Sequence, residues 1–161
     1  MFRSELITAL FAGVLALATL GEVQAQASRE PRAYSPSFGD LMTVVIQPRH
    51  LKLGLAGQEK NWVYADYELR ELQGAFRRVA SAVPVYRSTD MTSLIDATMV
   101  TPMGDVATAI KTGNSDKFVE AFARLTATCN ACHESTDHAQ IVIQVPKASA
   151  FPNQDFRSRQ P

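Results

Sequence analysis

The sequence predicts an all-α protein, an antiparallel four-helix bundle with an extended C-terminal tail. Three observations carry that expectation: apolar residues recur at helical spacing in four stretches, short links rich in Gly, Pro, Asn and Ser part them, and the pattern stops after Asp137.

In the first stretch, Ser35-Pro36-Ser37 offers a capping serine and a proline suited to an early helical position. The helix reads on to about Gly57, a residue type that suits a helix C-terminus. Pro48 lies inside it; the ring removes one backbone donor and crowds the carbonyl four residues back, which predicts a kink. The second helix has Asn61 as cap and a seam of Trp62, Ala65, Leu69, Leu72, Phe76 and Val79, and it ends before Pro84. The link through Tyr86, Ser88 and Asp90 carries no periodic apolar pattern.

The third region reads as a short helical turn at Leu94 and Ile95, followed by a new start with Thr101 as cap and Pro102 as first residue. Met103, Val106 and Ile110 continue it, and Gly113-Asn114-Ser115 breaks the chain. The fourth helix is capped by Asn114 or Ser115, carries Asp116 in its first turn, and aligns Phe118, Phe122, Leu125, Cys129 and Cys132 on one seam. Ile141-Val142-Ile143 and the Pro-containing segment after it read as a short strand or extended tail.

At the N-terminus, Arg3, the apolar run from Leu6 to Leu20 and the small-residue pattern from Val23 to Ala27 read as a secretory signal cleaved after Ala25 or Ala27. The run is shorter than the roughly 20 residues a bilayer span needs. The expected organisation is a signal peptide over 1–27, a flexible lead-in over 28–36, the helical domain over 37–138 and the tail over 139–161. Such a chain is exported to an oxidising compartment, most simply a bacterial periplasm, and keeps no stable membrane span after cleavage. Charge is balanced, with 16 basic and 16 acidic residues, so no nucleic-acid partner is expected.

The chain has 2 cysteines, and a histidine follows the second directly. Cys129-Asn130-Ala131-Cys132-His133 is the attachment pattern for a covalent haem c, in which each thiol adds to one vinyl group and the histidine binds iron. Thiols one helical turn apart can reach vinyls on neighbouring pyrroles while the adjacent imidazole is aimed at the metal. A disulfide or redox pair usually opens a helix after a strand, a setting the sequence does not show here, and a zinc site would have to draw on His50 and His138.

With the motif on the last of four helices, the chain resembles the cytochrome c prime family and related exported monohaem cytochromes. The resemblance implies a four-helix bundle, Cys129 and Cys132 as thioether sites, and His133 as proximal iron ligand. Ile46-Gln47-Pro48-Arg49-His50, Ala56-Gly57-Gln58 and Asn61-Trp62 look like a branch of small exported cytochromes. The long stretch after His133 departs from the cytochrome c prime pattern, in which the chain ends soon after the haem helix.

The sixth iron position decides between functions, because a strong protein ligand makes an electron carrier and an open one admits gases or peroxide. His50 is the candidate distal ligand, beside Gly39, Thr43, Gln47, Gly54 and Gly57, small or polar residues that would let a flat macrocycle approach; its bland reading is a surface histidine. Met42, Met99 and Met103 read as core filler before ligand. Arg49, on the apolar side of the first helix, is a candidate haem propionate contact or a snorkelling arginine. His138 reads as a helix-end residue or propionate contact, and Trp62, Tyr64 and Tyr67 as core packing before haem lining. The expected function is single-electron transfer by one covalent haem rather than enzymatic catalysis, with periplasmic redox proteins as partners and a homodimer as a further arrangement. The alternatives are a five-coordinate protein that binds nitric oxide or carbon monoxide and, with less support, a haem peroxidase.

Overall fold

Ser37 starts the first helix by the mutual exchange its sequence allows: its hydroxyl accepts from Asp40 N at 3.1 Å, and the Asp40 carboxylate accepts from Ser37 N at 3.1 Å. The computed structural model describes residues 34–159. The expected signal over 1–27 and most of the lead-in lie outside the described residues.

Helix α1 spans 38–58 and has three parts: an α-turn at Phe38–Asp40, a π segment at Leu41–Ile46, and a regular α portion at Gln47–Gln58. Where a kink at Pro48 is expected, the winding widens just ahead of the proline. Gln47 N bonds to Met42 O, five residues back, and the loosened winding relieves the crowding a proline ring imposes on the preceding turn. Helix α2 is Trp62–Ala82, capped by Asn61, whose side chain accepts from Tyr64 N at 3.2 Å. A two-stranded antiparallel hairpin, β1 Val85–Tyr86 and β2 Thr89–Asp90, follows where the sequence showed no pattern.

Helix α3 is continuous over Met91–Lys111, so the expected break at Thr101-Pro102 is not there. Asp90 is its cap, accepting from Ser93 N at 2.7 Å, and Pro102 sits inside. A proline inside a helix costs about 3 kcal/mol, which the burial of Met99, Met103 and Val106 on either side of it offsets at ~1.5–3 kcal/mol per large apolar side chain. Helix α4 is Ser115–Ser135, capped by Asn114, which accepts from Lys117 N at 2.9 Å. No helix of the described residues is long and apolar enough to cross a membrane.

Three helices end on a left-handed residue, at Lys60 (φ 56°), Gly113 (φ 62°) and Asp137 (φ 61°). In each the next residue's N–H returns to a carbonyl five back: Asn61 to Ala56, Asn114 to Ala109, His138 to His133. Lys60 therefore does the work expected of Gly57.

Gly57 and Gly54 serve a different purpose. α1 packs on α2, α2 on α3, α3 on α4, and α1 also meets α4. In that last contact a Cβ on Gly57 would lie 2.0 Å from the Phe118 ring, and one on Gly54 2.6 Å from Phe122. The two glycines are notches that admit aromatic rings. The tail adopts no regular strand; it runs back over the helices and seats Phe156 in the core against Tyr64.

Overpacking a full notch costs about 1–3 kcal/mol, so Gly57→Ala should lower stability by at least that much. Gly104, in mid-helix with nothing within 4 Å of a Cβ, gives the opposite sign: Gly104→Ala should raise stability by about 0.5–1 kcal/mol. Denaturant unfolding of the two variants checks both; equal effects would show that helix propensity, not the α1–α4 seam, governs these positions.

Candidate haem attachment site

Along α1 and α4 the seam changes character at one hydrogen bond. On one side Phe118 and Phe122 fill the glycine notches; on the other the helices part around a cleft. The boundary is His50, whose Nε2 lies 2.9 Å from Thr126 Oγ1 and whose ring stacks on Phe122 with centroids 4.7 Å apart.

The cleft brings the expected attachment residues together. Cys129, Cys132 and His133 line one wall, and Gly39, Met42, Thr43, Ile46, Gln47 and His50 the wall opposite. The two α1 stripes, 39/43/47 and 42/46/50, each repeat every fourth residue, and the residues of both line the cleft. Met91 and Met99 of α3 and Phe76 of α2 close the floor, while Tyr86, His138, Ile141 and Ile143 stand around the mouth. Of the stripe read as an approach for a flat ring, Gly39, Thr43 and Gln47 reach the cleft, whereas Gly54 and Gly57 are taken up by the phenylalanines.

His133 has one ring nitrogen engaged by the backbone. Its Nδ1 lies 2.7 Å from the Ile141 carbonyl oxygen, an acceptor only, so Nδ1 carries the proton and Nε2 keeps the lone pair. The left-handed turn at Asp137 sends the chain back to make that bond possible. Burial, and then the neighbouring Cys132, pushes the Cys129 thiol up to about 12, and burial also raises Cys132. Thiols held protonated at neutral pH are the reverse of a reactive dithiol, which needs a depressed pKa.

His50 is buried, at 4% exposure, rather than on the surface. Burial lowers its pKa to about 4, so the ring is neutral at pH 7. Thr126 Oγ1 donates to Phe122 O at 2.9 Å and therefore accepts from His50 Nε2–H, which leaves the lone pair on Nδ1. Thr126 could have been noticed as one turn before Cys129 on the same stripe.

Arg49 does not line the cleft. Its guanidinium bonds Glu68, 1% exposed, at 3.1 Å and reaches Glu71 at 3.5 Å, so the charge that suggested a propionate has carboxylate partners within the protein. Burial works against the Arg49 charge, but the hydrogen bond and charge of Glu68 outweigh it and raise the pKa. Trp62 packs edge-on against Phe118, Tyr64 packs on Phe156, and Tyr67 is half exposed; none of them lines the cleft. Tyr86 does, stacked on Phe38 at 4.4 Å with its hydroxyl 3.3 Å from His138 Nε2. It lies in the hairpin, outside any periodic stretch that could have flagged it.

The residues present fit a covalent haem: two thiols one turn apart, an imidazole with its nitrogen lone pair free, and an apolar slot between helices. The slot measures about 160 Å³. Pockets that bury a drug-sized ligand whole are typically ~300–1,000 Å³. To hold a macrocycle, the walls would have to part or leave some of it outside. Among the described residues no group of three or more His, Cys, Asp or Glu side chains is placed to hold a metal ion by itself.

Comparison of the chain with protein-family models, with curated proteins and with solved structures finds no match.

Proposed function

We propose that the chain is a monohaem c-type cytochrome, an antiparallel four-helix bundle of the kind the cytochrome c prime resemblance implies, exported to the periplasm and passing single electrons between partner proteins. The observation that carries this reading is the joint placement of Cys129, Cys132 and His133 on one cleft, with His133 Nδ1 tied to the Ile141 carbonyl. Bound haem c supplies a one-electron ferric/ferrous couple whose potential follows axial ligation and burial. The chain's own part is to hold the His133 ring with Nε2 free, to line the slot with apolar side chains, and to narrow access to it with the returning tail.

On the opposite wall His50 is our choice of distal ligand, as a neutral imidazole with a lone pair on Nδ1. The specific observation that favours the five-coordinate, gas-binding reading is on the same residue: Nε2 is already engaged by Thr126, so ligation through that atom would have to break a buried hydrogen bond. Met42 and Met99, which also line the slot, serve as packing in either case.

Optical spectra of the ferric and ferrous protein decide between the two. Electron transfer with His50 ligation predicts low-spin bands in both states, a reversible one-electron couple, and conversion by His50→Ala to a high-spin form that binds carbon monoxide faster. Met42→Leu keeps most of the volume and should leave the spectrum alone. A wild type that is already high-spin and shifts with carbon monoxide supports gas binding, and a change confined to Met42→Leu makes methionine the ligand.

A further inference from the structure

We propose that Asn130 is a positioning residue for His133: its side-chain amide clips the returning chain at Ile143 and so holds the Ile141 carbonyl on His133 Nδ1. The effect on iron rests on the haem reading above; the clip itself does not.

Asn130 is one of the two residues between the cysteines. Its Oδ1 accepts from Ile143 N at 2.7 Å, and its Nδ2 donates to Ile143 O at 2.9 Å. One side chain thus satisfies both backbone groups of one residue, as a neighbouring strand would. Asparagine is suited to this because it offers donor and acceptor on a short stem; aspartate offers only the acceptor.

Asn130 lies one helical turn before His133, so the two side chains leave α4 on the same side. Ile141 and Ile143 are two apart in an irregular, extended segment, so their backbone groups can face the same edge. The bonds Asn130–Ile143 and His133–Ile141 therefore form neighbouring rungs between α4 and the tail. The next anchor along the tail is Gln58 Nε2 on Pro146 O, at 3.0 Å, which belongs to α1 and holds the chain three residues further on.

An imidazole that donates Nδ1–H to a carbonyl is fixed in one tautomer and is a stronger electron donor through Nε2. Donation favours the ferric state. Loosening the clip should therefore raise the reduction potential.

The test uses the haem-loaded full chain with Asn130→Ala, Asn130→Asp and Gln58→Ala, each checked for native helicity by circular dichroism. Asn130→Ala should speed hydrogen exchange at the Ile143 amide by about tenfold or more, the loss of roughly 1.4 kcal/mol of protection, and shift the potential upward. Asn130→Asp keeps the acceptor for Ile143 N–H and should shift it less, whereas Gln58→Ala should leave it at the wild-type value. An unchanged potential in Asn130→Ala with a fast-exchanging Ile143 amide would overturn the proposal, as would an equal shift in Gln58→Ala, which would mean that any loosening of the tail suffices. If Asn130→Ala fails to fold, the uncharged Asn130→Ser, too short to bond both backbone groups of Ile143, decides: a wild-type potential there overturns the proposal. Should the wild type carry no covalent haem, the haem reading fails separately. Nitrogen-15 NMR of His133 in the protein as isolated then decides the clip: a single Nδ1–H tautomer that Asn130→Ala abolishes upholds it, and an unchanged one overturns it.

Discussion

Two missing side chains set the spacing on which the rest of the molecule depends. Because Gly54 and Gly57 carry no Cβ, Phe122 and Phe118 can enter the face of α1, and the C-terminal half of α1 closes tightly on the N-terminal half of α4. That closed end fixes the two helices along one line. Past the His50–Thr126 bond the phenylalanines of α4 stop, and Gly39, Met42 and Thr43 line a slot together with the cysteines. On the reading proposed above, this slot, lined by two thiols and an imidazole, is the space that holds the haem.

The other wall is built by winding and by return of the chain. The π segment Leu41–Ile46, placed before Pro48, changes the register of α1 just where its residues begin to line the slot, which is in keeping with the frequent appearance of such turns at functional sites. At the far end, the left-handed turn at Asp137 reverses the chain, and the Ile141 carbonyl reaches His133. The tail is held at several points besides: Gln58 on Pro146, Asn61 on the carbonyls of Phe156 and Arg157, and Lys52 over the Phe151 ring. It belongs to the same structural unit as the helices.

Much of this was legible in the sequence because helical periodicity and capping are local. The seams of α2 and α4 and the caps Asn61 and Asn114 follow from neighbours within a turn or two. What was not legible depends on contacts between distant residues. Pro102 reads as a helix start, yet burial of Met99, Met103 and Val106 on both sides carries α3 straight through it. Gly57 reads as a helix end, yet its purpose is set by Phe118, far along the chain. Arg49 reads as a cation seeking an anion; which anion it finds, Glu68, is a matter of how α1 lies on α2. Of the site itself, Cys129, Cys132 and His133 are marked by spacing alone, while Thr126, Asn130 and Tyr86 acquire meaning only through the partners that the fold brings to them.

The covalent haem is the central claim, and mass spectrometry of the peptide spanning Cys129 to His133, taken from protein exported by a host able to attach haem, addresses it most directly. Both cysteines should be joined to one haem, with no free thiol on that peptide. Two unmodified cysteines, or a disulfide between them, would contradict it.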